Sequence, residues 1–110
     1  MDTATFAAIV DEFTAKEQAI MGVKGGDYAT EDRLWNFNVI APLQGCKPSE
    51  VCVGYLLKHI VTISKLVREG SGAWAWEENG HEGLKQRIAD ARNYLLLLAA
   101  CLEEERHAPP

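Results

Sequence analysis

The chain has 110 residues, of which 47% are apolar and 25% charged, the balance of a globular domain rather than of a disordered segment. Its 11 Lys and Arg against 16 Asp and Glu leave a net charge of −5, which offers no broad basic face for general nucleic-acid binding. The longest apolar run, Tyr94 to Leu102, falls short of the roughly 18 to 20 residues that a membrane span needs.

The acidic start Met1-Asp2-Thr3 lacks the basic and apolar regions of a secretory leader, so a cytoplasmic location is expected. Phe6, Ile9, Val10, Phe13, Ile20 and Met21 recur at helical spacing and predict a first helix from about Thr3 to Gly22, with Asp2 or Thr3 as its cap. Gly25-Gly26-Asp27 predicts a tight exposed reversal. Thr30-Glu31-Asp32 has the cap and acids of a second helix, with Leu34, Phe37, Ile40 and Ala41 on one face; Pro42 and Gly45 end it near Leu43.

Pro48 suits the first turn of a third helix, running to about Arg68. Its apolar residues leave only a narrow polar stripe of Lys58, His59, Thr62 and Lys65, so it needs covering from several sides. Ala73 to Glu78, bracketed by Gly70-Ser71-Gly72 and Asn79-Gly80, reads as a loop anchored by Trp74 and Trp76. A fourth helix is predicted from about Glu82 to Glu105, with Leu84, Ile88, Ala91, Leu95, Leu98 and Leu102 alternating at spacings of four and three, followed by a frayed tail over 106–110. The expected fold is one all-α, four-helix bundle-like domain spanning 1–110. It should form a homo-oligomer through its third and fourth helices, which carry more apolar surface than one small bundle covers.

Asp90, Asn93 and Tyr94 stand at i, i+3 and i+4, polar groups entering an apolar helix. A buried carboxylate requires either a bound cation or a structural partner, for which Asn36, Lys58 and Arg87 are the candidates. Lys58 and His59 can present a cation and an adjustable acid or base to a phosphate, or be satisfied locally. Lys24, Asp27 and Tyr28 occupy the predicted first loop, which either embraces an anion or simply turns the chain. Trp74 and Trp76 either stack on a base or lid the bundle. The phosphate-loop, nucleophile-elbow and His-Glu-x-x-His signatures are all missing, and Cys46, Cys52 and Cys101 include no Cys-x-x-Cys pair that would suggest zinc.

Taken in order, Lys24-Gly25-Gly26-Asp27-Tyr28, Asn36-Phe37, Lys58-His59 and Asp90-Ala91-Arg92-Asn93-Tyr94 resemble a pattern of small phage and prophage proteins described as nucleotide-modification-associated or of unknown function. More distantly, the chain is similar to the MazG-like all-α nucleoside triphosphate pyrophosphatases, helical oligomers that hold magnesium with clustered acids. Asp90 matches the last aspartate of their Glu-x-x-Asp motif, and Arg87 stands at the glutamate position. The resemblance implies a nucleotide-binding protein, extending to a magnesium-dependent pyrophosphohydrolase. In it Asp90 with Glu12 or Glu17 holds magnesium, Lys24, Lys58 and His59 contact phosphates, and Asp27, Tyr28, Asn36, Asn93 and Tyr94 complete the ligand site. The alternative is a non-enzymatic phage interaction protein that binds a host or defence component, its polar cluster fixing helix register alone.

Overall fold

Asp2 caps helix α1 (Thr3–Asp27): its Oδ1 accepts the Thr5 N–H at 2.7 Å and its carbonyl accepts the Phe6 N–H at 3.1 Å. The Thr5 hydrogen bonds hold the Asp2 carboxyl below its ordinary range, since they favour the charged acceptor. The computed structural model describes residues 1–27 and 32–109, with side chains over 1–19 and 32–109. Within it α1 runs on through Gly25 and Gly26, where the sequence predicts a reversal. A glycine costs a helix about 1 kcal/mol relative to alanine, which weakens the last turns without forbidding them. The expected cap Thr30-Glu31 lies outside the described residues.

The chain divides into two compact units, Met1–Arg33 and Leu34–Pro110. In the second unit, helix α2 (Trp35–Gln44) starts later than the sequence predicts, with Leu34 at its cap position and Asp32 ahead of it. Leu34, Phe37 and Ala41 are buried at spacings of three and four, which makes one apolar face. Pro42 lies inside the last turn, and the helix closes on Gly45, whose φ of +66° lets its own N–H and that of Cys46 reach the Pro42 and Ala41 carbonyls at 3.3 and 3.0 Å.

Helix α3 (Pro48–Glu69) matches its predicted span to within a residue. At its start the Lys47 N–H donates to Glu50 Oε1 at 3.3 Å, and the Ser49 N–H donates to Glu105 Oε1 of the last helix at 3.1 Å. A carboxylate on the free amides of a helix N-terminus is favoured by both hydrogen bonding and the helix dipole. Gly70 ends α3 as Gly45 ends α2, with the Gly70 and Ser71 amides on the Val67 and Leu66 carbonyls at 3.2 and 2.9 Å.

The segment read as a loop contains a hairpin of β1 (Glu77–Glu78) and β2 (His81–Glu82), paired Glu77 to Glu82 and Glu78 to His81. Asn79 and Gly80 have φ of 52° and 79°, the positive pair that matches strand twist in a two-residue turn. Ahead of the hairpin, the Ala73, Trp76 and Ala75 carbonyls receive the amides of Leu84, Gly83 and Lys85 at 2.9, 2.9 and 3.2 Å, so this segment caps helix α4 (Leu84–His107) with its backbone. The tail expected to fray from 106 is helical through His107, because Arg106 donates to Glu103 at 2.9 Å and His107 Nε2 lies 2.9 Å from the same oxygen.

α3 packs against both α2 and α4. The core gathers Leu34, Phe37 and Ala41 with Val51 and Cys52 of α3 and Cys101 of α4, and Tyr55, Tyr94, Leu97 and Leu98 surround it. The chain is therefore all-α and bundle-like. On α4 the inward seam of Tyr94, Leu97, Leu98 and Cys101 is rotated from the predicted stripe, in which Leu95 and Leu102 remain 51% and 52% exposed. Where two adjoining apolar stripes share a helix, spacing alone does not say which one meets the core. No helix among the described residues is long and apolar enough to cross a membrane.

Candidate functional site

Tyr55, Lys58 and His59 stand at i, i+3 and i+4 on α3 and therefore share a face. Lys58 Nζ lies 5.3 Å from the centre of the Tyr55 ring, within cation–π range. Tyr55 is stacked on Tyr94 of α4, with centroids 6.1 Å apart and an interplanar angle of 18°. The His59 ring lies 5.0 Å from Tyr94, and Phe37 of α2 approaches both tyrosines at 6.1 and 6.4 Å. His59 is thus half-buried against α4 rather than part of an exposed polar stripe, while Lys58 remains exposed. Tyr55 has no part in the predicted site; its signal was its spacing from Lys58 and His59.

Asp90 is buried and accepts the Gln86 Nε2–H at 2.9 Å, one turn back on α4. Gln86 is not among the partners the sequence proposes for it, although its i, i+4 spacing was readable. Asn93 is half-buried on the next turn, and Asn36 is exposed at the start of α2. Of the predicted site residues, the structure thus brings Lys58, His59 and Tyr94 together around Tyr55. Glu12 and Glu17 both stand on α1, in the other unit, and their five-residue spacing puts them on different faces of the helix. Lys24 and Asp27 belong to the end of α1, their side chains outside the described residues, and Tyr28 lies wholly outside them. Among the described residues no three His, Cys, Asp or Glu side chains gather as a metal-ligand set.

Two depressions open on α3, the first of them beside this cluster. A cleft of about 180 Å³ is lined by Gln44, Glu50, Val51, Gly54, Tyr55 and Lys58. It is smaller than the ~300 to 1,000 Å³ typical of pockets that enclose a small-molecule ligand. Sharing Glu50 with it, an open and mostly apolar groove of about 500 Å³ is lined by Ser49, Glu50 and Val53 of α3 and Leu98 and Leu102 of α4. Farther along the same two helices, Leu57, Ile60 and Val61 of α3 and Leu95 of α4 are 45 to 66% exposed. In the hairpin segment Trp74 is 59% exposed, with Lys85 Nζ 5.2 Å from its ring, an arrangement nearer to a surface contact than to a lid.

No known protein family, curated protein or solved structure matches the chain.

Proposed function

We propose that the chain is a non-enzymatic helical interaction domain that works as an assembly, its contact surface being the apolar face shared by α3 and α4. The observation that carries this reading is the face itself. Val53, Leu57, Ile60 and Val61 recur on one side of α3, away from Cys52 and Tyr55 of its packed side, and Leu95 and Leu102 continue the apolar surface on α4. A contiguous apolar patch rimmed by charge is the usual mark of a protein contact. The same face supports the homo-oligomer expected from the sequence, and the resemblance to small phage proteins suits such a role. Light scattering tests it: a particle larger than one chain that Leu57→Glu converts to monomer supports the reading, and a wild-type monomer at micromolar concentration defeats it.

A second reading, the nucleotide-binding protein that the resemblance implies, rests on Lys58 held over the Tyr55 ring at the mouth of the small cleft. Lys58 would take a phosphate there, and magnesium, as the resemblance implies, would accompany it. A thermal-shift screen of nucleoside triphosphates with and without magnesium tests this, since only a ligand that prefers the folded state raises the melting temperature. A magnesium-dependent rise lost in Lys58→Ala favours it, and no rise with any nucleotide rejects it.

A further inference from the structure

The predicted seam of α4, Leu84, Ile88, Ala91, Leu95, Leu98 and Leu102, alternates at spacings of four and three, the repeat by which two helices interlock over several turns. The monomer leaves Leu95 and Leu102 of that seam open, while Leu98 between them packs partly against the core. Leu95 and Leu102 are half-exposed, and Leu98 and Leu102 form one wall of the groove whose other wall is Ser49, Glu50 and Val53 of α3. A two-helix surface with a groove between the helices accepts the ridge of a third helix, and a second copy of the same surface supplies one.

The charge along α4 selects the direction. Its first half carries Lys85, Arg87 and Arg92 with only Asp90 among them, and its end carries Glu103, Glu104 and Glu105 ahead of Arg106. Parallel packing of two copies sets acid on acid and base on base at distances within the screening length of physiological salt. Antiparallel packing about a point near Leu98 sets the acidic end of each helix beside Arg92 of the other and also opposes the helix dipoles.

We infer that two copies pair by their α4 helices, antiparallel about a two-fold axis near Leu98, with Leu95 of each copy against Leu102 of the other and Val53 closing the groove on either side. The arrangement is isologous, so it closes as a dimer and does not propagate. This rests on the assembly reading above and adds to it the partner, the direction and the register.

Cysteine pairing tests it in a Cys46→Ser background, where the remaining Cys52 and Cys101 are buried. Leu95→Cys and Leu102→Cys chains are mixed and equilibrated, oxidised with glutathione disulfide, and analysed by non-reducing electrophoresis beside each variant alone. The expected result is a covalent dimer in the mixture, at least severalfold more abundant than in either variant alone. Abundant cross-linking within each single variant indicates parallel packing. Cross-linking of Leu95→Cys alone indicates a shifted axis, and a dimer by light scattering that cross-links in no sample places the interface elsewhere. Each of these overturns the inference while leaving the assembly reading standing, whereas a wild-type monomer by light scattering overturns both.

Discussion

Gly83 is the position where one added methyl group should do most damage. Its backbone, at φ −80° and ψ 172°, is open to any residue, so conformational freedom is not the reason for a glycine here. The reason is space: a Cβ would fall inside the contact distance of the Ala75 carbonyl oxygen and carbon, backbone atoms that cannot swing aside. That carbonyl accepts the Lys85 N–H at 3.2 Å, and its neighbours at Trp76 and Ala73 accept the Gly83 and Leu84 amides at 2.9 Å each. Gly83→Ala must push the 73–76 segment off the start of α4. Overpacking costs about 1 to 3 kcal/mol and each hydrogen bond contributes roughly 1 kcal/mol, so a loss of about 2 to 4 kcal/mol is expected. Gly54, in the middle of α3, is the matched control, because a Cβ there meets nothing within 4 Å. Gly54→Ala should stabilise the helix by about 0.5 to 1 kcal/mol. Urea denaturation followed by far-ultraviolet circular dichroism, at one protein concentration for all variants, reads both changes. If the two substitutions shift the midpoint in the same direction, backbone capping of α4 by the 73–76 segment is wrong.

Three further outcomes follow from particular hydrogen bonds and charges. Burial, reinforced by the Cys52 thiol and by Glu105 and Glu104, pushes the Cys101 thiol from 9.0 up to about 11, so near pH 8 its thiolate fraction is about a hundredfold below that of an ordinary thiol. Iodoacetamide should therefore label Cys46 well before Cys101 in mass spectrometry, and equal labelling rates in the folded protein would contradict the packing. By the same linkage this thiol supports the fold below pH 9 and that support is lost as pH rises toward 11. Asp2 carries the opposite sign: its lowered carboxyl supports the start of α1 above the ordinary 3.8 and the support fades as pH falls through the folded value, so an NMR titration of its side-chain carbon should give a midpoint below 3.8. Glu105→Ala should cost about 1 to 2 kcal/mol by leaving the Ser49 amide at the start of α3 without its acceptor, with Glu105→Gln losing less; equal stability of both variants and wild type by urea titration would remove that bond from the account.

The helices were legible because their signals are local. Pro48 and Gly70 bracket α3, and Gly45 ends α2, through constraints that each residue imposes on its own backbone. What the sequence hid was rotation. α3 and α4 are apolar over so much of their circumference that two stripes compete on each, and the choice is made by partners distant in the chain: Cys52 meets the Tyr94 carbonyl at 3.4 Å across 42 positions. The hairpin was hidden for another reason. Its strands are two residues each, too short to show alternation, and only Asn79-Gly80 announced it.

The candidate site was legible in the same uneven way. Lys58, His59 and Tyr94 could be singled out because each places a polar group in an apolar pattern, but that they meet around Tyr55 depends on the rotation of two helices that the pattern leaves open. Asp90 sharpens the point. A carboxylate entering an apolar helix demands compensation, and the sequence offered Asn36, Lys58, Arg87 or a metal, yet a hydrogen bond comes from Gln86, one turn back on its own helix. A neutral donor at i−4 satisfies one lone pair and orients the carboxylate. The same geometry serves a residue that only fixes helix register and one that awaits a cation, which is why the proposed assembly rests on the exposed α3 and α4 surface and not on the polar cluster.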